Sequence, residues 1–140
     1  RLSPDGIVIS GGDDIGVYVE RDLTEFGLLN YAKKRSLPVL GICRGMQVLG
    51  VHEGVKLVPV KCHAGVRHML QGEYQEDVNS YHNYALERCP AQYKVLADGS
   101  DGSVEAITNI ERNWNGWMWH PERESEFKDS DINRVKNIFN

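Results

Sequence analysis

The stretch 38-PVLGICRGMQ-47 holds a lone cysteine, Cys43, in a bend between two segments of different pattern. The apolar run before it predicts a buried strand, and the residues after it, continuing as "VLGVHEG" (48–54), predict a short helix. Gly41 and Gly45 flank the cysteine where a sharp strand-to-helix turn leaves no room for a Cβ. Such a turn presents its central side chain above the sheet and favours a nucleophilic thiol. A cysteine that packs as a small buried hydrophobe is the alternative.

The turn predicts two further properties of this thiol. A cysteine at a helix N-terminus lies where the helix dipole favours the thiolate. The backbone N–H of Arg44 points toward the place where an oxyanion would form on an attacked carbonyl. We expect the Arg44 side chain to be exposed, where it is either solvated or in contact with a phosphate or nucleotide leaving group.

The residues before the bend complete a strand–helix–strand unit. "DGIVIS" (5–10) predicts a buried strand, and "RDLTEFGLLNYAKKRS" (21–36) has apolar residues at helical spacing. Asp22 with Glu25 three residues later resembles a capping box at the start of this helix. Two strands joined by a helix predict a βαβ unit and therefore a parallel sheet.

The residues after the bend predict mostly strands. "VKLVPV" (55–60) indicates an edge strand because its proline cannot donate to a ladder, and the polar stretch 61–79 predicts mainly loop. Three β-rich runs follow within 93–120, separated by Asp-Gly turns. A final helix is predicted over 131–139, with Ser130 as its N-cap.

The composition is that of an ordinary globular chain. Its 140 residues suit one domain, and 41% hydrophobic with 26% charged residues allow a sizeable core. The net charge of −4 argues against nucleic acid or an anionic membrane as the main partner, and no apolar run reaches the ~20 residues of a membrane span. Three cysteines, Cys43, Cys62 and Cys89, form no disulfide framework, which favours a reducing, cytoplasmic location.

The stretch "WNGWMWHPE" (114–122) supplies the groups that a cysteine nucleophile needs. His120 stands at a predicted strand end immediately before a proline, and Glu122 is close enough to turn back onto its ring. An imidazole takes the thiol proton, and a carboxylate orients the imidazole. An ordinary surface histidine is the alternative. Trp117 and Trp119 share one strand face and are expected in the core and cleft wall rather than as a nucleotide-stacking platform.

Four ordered motifs resemble the class I glutamine amidotransferase family, and within it the γ-glutamyl hydrolase-like branch, peptidase family C26. They are "DGIVISGGDDIG" (5–16), "GICRGMQ" (41–47), "VNSYHNYAL" (78–86) and "GWMWHPE" (116–122). The resemblance implies an α/β fold, a flavodoxin-like three-layer sandwich with a central, mainly parallel sheet, over 1–140 as one domain. Members of the family usually begin with further strands and a helix, so the N-terminal part of the domain is expected to be missing here.

The resemblance also assigns the catalytic roles. Cys43 would be the nucleophile, His120 the general base and then acid, and Glu122 the orienting carboxylate. The backbone N–H groups of Gly12 and Arg44 would form the oxyanion hole. It implies no cofactor.

The substrate implied by the resemblance is a small γ-glutamyl compound. Gln47, Asn79, Ser80, Tyr81 and His82 would hold the α-amino and α-carboxylate groups of its glutamyl part. The compound is glutamine or a γ-glutamyl conjugate, nucleotide-linked conjugates included, and water would release glutamate from a thioester. The motifs look most like bacterial members associated with surface-polysaccharide and capsule nucleotide metabolism.

Three functions remain open on this basis. The first and favoured one is a freestanding γ-glutamyl amide hydrolase, because no synthetase domain is present and "VNSYHN" (78–83) resembles the hydrolase branch. The second is a glutaminase subunit that delivers ammonia to a separate synthetase. The third is a non-catalytic interaction module, which the His-Pro-Glu motif disfavours.

A metal site is not expected from the sequence. Cys62, His63 and His68, with Cys89, contain zinc-ligand side chains, but their spacing matches no regular zinc motif. The two acids at 13–14 follow a glycine pair and are expected to cap or solvate a loop.

Overall fold

The strand–helix–strand unit and the turn after it organise the chain in the computed structural model, which describes residues 3–140. The elements are, in chain order, β1 (Ile7–Ile9), α1 (Val19–Arg35), β2 (Val39–Ile42), α2 (Arg44–His52), β3 (Leu57–Pro59), β4 (Ala64–Met69), β5 (Gln71–Gly72), β6 (Asp77–Tyr81), β7 (Tyr84–Leu86), β8 (Lys94–Asp98), β9 (Val104–Asn109), β10 (Trp114–Trp117), a 3₁₀ turn (Pro121–Arg123) and α3 (Asp129–Phe139). β1 and β2 pair in parallel, with α1 between them in sequence, so the predicted βαβ unit is confirmed.

The central sheet has six strands in the order β1-β2-β10-β9-β8-β5. β10 pairs in parallel with β2, whereas β9, β8 and β5 each pair antiparallel to the strand before them in this order. Four of the six strands therefore run in one direction. The predicted mixed α/β class with a mainly parallel sheet is confirmed.

Helices cover both faces of the sheet around β10. On one face α2 is so close that a Cβ at Gly116 would lie 2.8 Å from the Met46 side chain. On the other face α3 adjoins β10, and Asn113 donates to the Ile138 carbonyl oxygen at 2.8 Å. Trp117 and Trp119 stack with ring centroids 5.3 Å apart, and each is 1% exposed. The prediction that these tryptophans belong to the core is confirmed.

The stretch 61–79 is not mainly loop, as the sequence suggested. β4 and β6 form an antiparallel ribbon, with an irregularity between Ala64 and Val66. Most of β4 is exposed, so its sequence carries no alternation between apolar and polar residues. β3 pairs with β7 in a second small sheet.

The predicted starts of two helices were wrong. α1 begins at Val19, before the proposed capping box, and Asp22 and Glu25 lie inside the helix as buried residues. α3 begins at Asp129, and Ser130 lies inside it, with its hydroxyl donating to Glu76 at 3.0 Å rather than capping. Both errors arise because a local sequence pattern does not reveal which distant group a polar side chain meets.

Between residues 3 and 140, no helix is both long enough and apolar enough to cross a membrane.

Candidate active site

The turn at Cys43 has the backbone geometry of a nucleophile elbow. Cys43 has φ +51° and ψ −106°, a conformation that residues other than glycine rarely adopt. A Cβ at Gly45 would lie 2.0 Å from the carbonyl oxygen of Ile9, and a Cβ at Gly41 would lie 2.5 Å from the Gly45 carbonyl. Both flanking glycines are therefore required by close packing, as the sequence predicted.

The thiol of Cys43 is largely buried, with the residue 6% exposed. Burial raises the pKa of this thiol from 9.0 to about 11, while a hydrogen bond from the backbone N–H of Arg44 lowers it by less. Loss of hydration therefore opposes the thiolate that the helix N-terminus is expected to favour. The thiol is neutral at neutral pH and needs a base to ionise it.

His120, the base expected from the sequence, is 2% exposed. Its Nδ1 lies 2.6 Å from Oε1 of Glu122, whose own side chain is 51% exposed. A carboxylate at this distance makes Nδ1 the donor, which leaves Nε2 free to accept a proton. The predicted pairing of His120 with Glu122 is present in the structure.

Three chain segments converge at one edge of the sheet, where adjacent parallel strands end. Gly11 and Gly12 follow β1, Cys43 follows β2, and His120 lies just beyond β10. The backbone N–H of Cys43 donates to the Trp117 carbonyl oxygen at 2.6 Å, which ties β2 to β10 at this edge. The carboxyl ends of strands in open α/β sheets are where ligands bind. The turn, the histidine and the glycine loop therefore share one candidate site.

The glycine loop is held close to the site from two sides. A Cβ at Gly11 would lie 2.5 Å from Cε1 of His120, so the imidazole packs directly on this backbone. Arg21 on α1 donates to the Gly11 carbonyl oxygen at 3.0 Å and to that of Ser10 at 3.2 Å. Gly12 has φ +154°, and a Cβ there would lie 2.1 Å from the Arg21 guanidinium. A side chain at position 12 would therefore displace the Arg21 guanidinium from its place over the loop.

The Arg44 side chain is not exposed, contrary to the sequence expectation. It is 2% exposed and forms ion pairs with both Asp22 and Glu25 of α1. Asp22 also accepts from the backbone N–H of Gly16 at 2.8 Å, and Glu25 accepts from Arg21 at 2.9 Å. The guanidinium cannot serve a phosphate leaving group. It fixes the N-terminus of α2, and with it the elbow, against α1.

Asn79 holds the backbone of His120 on both sides. Its Oδ1 accepts from the His120 N–H, and its Nδ2 donates to the His120 carbonyl oxygen, each at 2.8 Å. The same Nδ2 lies 3.0 Å from Glu124. The side chain is 3% exposed, so these contacts make Asn79 a positioning residue for His120.

The other predicted substrate-binding residues differ in exposure. Gln47 donates to the Tyr84 carbonyl oxygen at 2.9 Å, and the Ser80 hydroxyl donates to the His63 carbonyl oxygen at 2.6 Å. Gln47 and Ser80 are buried, and so is His82, whereas Tyr81 is 43% exposed. The Tyr81 ring packs edge-on against His120, with centroids 5.8 Å apart.

Arg123 is a residue of this region that the sequence reasoning missed. Its guanidinium lies over the Tyr81 ring, 4.5 Å from the centroid. Its charge acts to lower the pKa of the Cys43 thiol, though by less than burial raises it. No motif marks it, and its position directly after Glu122 was the available signal.

One group of side chains near the elbow has metal-ligand chemistry. His63, His68 and Glu105 come together, and burial lowers the pKa of His68. Cys62 and Cys89, which the sequence suggested alongside these histidines, do not belong to this group among the residues described.

The chain matches a known protein family over nearly its whole length. A family model described as glutamine amidotransferase class-I matches residues 1–138. The chain belongs to the class I glutamine amidotransferase family. The family resemblance drawn from the four motifs is thereby confirmed.

Two relatives and one solved structure illustrate the range of similarity. A γ-glutamyl-CDP-amidate hydrolase of Campylobacter jejuni is 30% identical over 125 residues, which cover 85% of this chain and 62% of the relative. A glutamine-hydrolysing GMP synthase of Streptococcus pyogenes is 32% identical over 152 residues, covering 99% of this chain and 28% of the synthase. A glutamine amidotransferase from Thermotoga maritima has the same fold, with a TM-score of 0.70 at 18% identity over 93% of this chain and 60% of that one. The chain thus spans less than two thirds of the hydrolase it matches.

Proposed function

We propose that this domain hydrolyses the γ-amide bond of a γ-glutamyl compound through a thioester on Cys43. The observation that carries the proposal is the convergence of the Cys43 elbow with the His120–Glu122 pair at the ends of adjacent parallel strands. A buried thiol at the same sheet edge as an imidazole oriented by a carboxylate suits base-assisted attack on a carbonyl. Membership in the class I family supports the same chemistry.

The reaction proceeds in two acyl-transfer steps. His120 Nε2 takes the thiol proton as the sulfur of Cys43 attacks the γ-carbonyl carbon, and the oxyanion is stabilised by the backbone N–H groups of Gly12 and Arg44. His120 then gives the proton to the leaving nitrogen, the C–N bond breaks, and a thioester remains. Water, deprotonated by His120, attacks the thioester and releases glutamate with the thiol restored. Glu122 stabilises the imidazolium in both steps.

Substrate binding in this proposal uses the exposed residues of the region. Arg123, with its guanidinium over Tyr81, supplies positive charge for the α-carboxylate of the glutamyl group. Asn79 acts through His120 rather than on the substrate, because its amide is already occupied by the His120 backbone. Gln47, Ser80 and His82 are buried and support the site from within the protein rather than contacting the substrate.

Two candidate functions differ in the leaving group of the substrate. A freestanding hydrolase of a nucleotide-linked γ-glutamyl amide, acting in capsule modification, is favoured by the 30% identity to the Campylobacter jejuni hydrolase. A glutaminase unit that supplies ammonia to a synthetase is supported by the match of nearly the whole chain to part of a GMP synthase. The two share Cys43 chemistry and differ in whether glutamine is turned over without a partner.

The test is glutamate release by the full-length protein from glutamine and from γ-glutamyl conjugates, including a cytidine-linked γ-glutamyl phosphoramidate. The expected result is release from one conjugate that is lost in Cys43→Ala, with Cys62→Ala as the matched control at an exposed cysteine. Release from glutamine that rises only when a synthetase is added would assign the glutaminase function instead. No release from any compound, with or without a synthetase, would refute the hydrolase and favour a non-catalytic interaction module.

A further inference from the structure

Three histidines surround a fully buried glutamate next to the elbow. We call this group the His–Glu cluster; it consists of His63 before β4, His68 on β4, His82 after β6, and Glu105 on β9. Glu105 is 0% exposed, His63 5% and His82 3%. The His63 ring centroid lies 5.2 Å from that of His68 and 4.7 Å from that of His82. The proposed hydrolysis uses none of these side chains as an acid, base or nucleophile.

In two of the rings, the nitrogen that points away from Glu105 already lies beside a hydrogen-bond acceptor. His63 Nε2 lies 2.7 Å from Oδ2 of Asp101, and His82 Nδ1 lies 2.9 Å from the Tyr84 carbonyl oxygen. A ring nitrogen beside such an acceptor carries the hydrogen, so in a neutral ring the other nitrogen presents a lone pair. The inward-facing atoms of these rings are therefore His63 Nδ1 and His82 Nε2, both as lone pairs.

These lone pairs face a carboxylate instead of a donor. His63 Nδ1 and His82 Nε2 lie 3.3 Å and 3.4 Å from Oε1 of Glu105, and His68 Nε2 lies 3.7 Å from its Oε2. In the part of the chain that the structure describes, these three nitrogens and Glu105 Oε2 are buried and lack a hydrogen-bond partner. Buried acceptor atoms that face one another without a donor destabilise the folded protein, and a cation bound between them removes this destabilisation.

The hydrogen bonds around the cluster match those that accompany bound metals. Histidines that bind metal usually donate their other N–H to a carboxylate or a backbone carbonyl, as His63 does to Asp101 and His82 does to Tyr84. The single hydrogen of the Ser103 hydroxyl has its nearer acceptor in Oδ1 of Asp101, at 2.7 Å, whereas Oε1 of Glu105 lies 3.1 Å from the hydroxyl. Imidazole nitrogen with carboxylate oxygen is a zinc-type donor set.

We propose that His63, His68 and Glu105 bind a divalent cation of the zinc class, with His82 as a fourth ligand. The candidate ligand atoms of the first three lie within 4.8 Å of one another. A tetrahedral shell at ~2.1 Å from the metal sets ligand atoms ~3.4 Å apart, so small side-chain rotations close the site. The ligands come from the β4–β6 ribbon and from the central sheet, so the cation fastens the ribbon that carries Asn79 to the strand that carries Glu105. This site is independent of the hydrolysis proposed above.

The test measures metal binding directly, in the full-length chain with Cys43→Ala, Cys62→Ser and Cys89→Ser, so that none of the three free thiols binds the probe. After dialysis against a chelator, Co²⁺ is titrated and then displaced by Zn²⁺. We expect one equivalent of Co²⁺ with the visible absorption of a tetrahedral site and no thiolate charge-transfer band. His68→Asn, the least buried ligand, should weaken binding more than ~100-fold, and Asp101→Asn roughly 10–100-fold. His52→Asn, a histidine outside the cluster, is the matched control and should bind as the parent does.

The competing occupant of the cluster is a proton shared between a histidine and Glu105. Absence of Co²⁺ binding, or binding that is equal in His68→Asn and the parent, would overturn the metal proposal. Thermal unfolding of each variant verifies that it is folded, and a melting temperature that rises with Zn²⁺ in the parent but not in His68→Asn would support it. Because Cys43 is absent from this background, the result is independent of whether the hydrolase proposal holds.

Discussion

The raised pKa of Cys43 predicts that the folded protein loses stability at alkaline pH. A group whose pKa is higher in the folded than in the unfolded chain contributes stability that is complete below the unfolded pKa and is lost as pH rises through the folded pKa. For Cys43 that window runs from 9.0 to about 11. A difference of two pKa units lowers the free energy of unfolding by about 2.7 kcal/mol once the pH exceeds both values. At pH 10 the expected loss is about 1.4 kcal/mol.

Urea unfolding at pH 7 and pH 10 measures this loss. Lysines and tyrosines also titrate in this range, so the informative quantity is the difference between the wild type and Cys43→Ala. The wild type should lose about 1.4 kcal/mol more than Cys43→Ala does between the two pH values. Cys62→Ala leaves the buried thiol in place and should keep its contribution. In parallel, the rate of iodoacetamide modification of Cys43 should rise with a midpoint near pH 11.

Two results would refute the reasoning. If Cys43→Ala lost as much stability as the wild type between pH 7 and pH 10, burial would not be holding the thiol neutral. If Cys43 were alkylated rapidly at pH 6 to 7, the resting protein would contain a thiolate paired with protonated His120. Proton transfer would then precede substrate binding instead of accompanying the attack.

Three substitutions test the surroundings of the thiol. Arg44→Met should lower the free energy of unfolding by about 3–5 kcal/mol, because two carboxylates of α1 are left buried and unpaired. Urea unfolding measures this loss, and a loss below about 1 kcal/mol would contradict the buried pairing. Glu122→Gln should lower kcat roughly 10²–10⁴-fold with KM little changed, because His120 loses the carboxylate that orients it. Glu126→Gln, at an exposed acid, is the control. Equal kcat values for Glu122→Gln and the wild type would exclude an orienting role for Glu122. Gly11→Ala places a Cβ 2.5 Å from Cε1 of His120 and should reduce activity while far-UV circular dichroism is retained; full activity would show that the ring has room to move.

The sharp turn at Cys43 could be predicted from the sequence because its causes are local. The spacing of Gly41 and Gly45 around Cys43 reflects contacts within a few residues of the bend and with one neighbouring strand. The pairing of His120 with Glu122 is equally local, since two residues separate them. The βαβ unit followed for the same reason from its apolar periodicity.

The features that sequence reasoning missed depend on residues far apart in the chain. Asp22 fitted a capping pattern, and its partner Arg44, 22 positions away, could not be identified from spacing. The protonation of Cys43 was misjudged because burial depends on how completely the sheet and helices enclose the thiol. His63, just before β4, meets Glu105 on β9 across 42 positions, so no regular motif exists to find.

The ion pairs of Arg44 couple the position of α1 to that of the turn at Cys43. A shift of α1 carries Arg44 with it, since separation would leave Asp22 and Glu25 charged in a buried place. The backbone N–H of the same residue is the proposed oxyanion donor, so movement of the helix is transmitted to the position where negative charge develops. Leu23 on α1 is 66% exposed, which leaves part of this helix open to contact. If the proposed hydrolysis holds, a neighbouring segment or protein that presses on α1 should change the rate of acyl transfer without contacting the substrate.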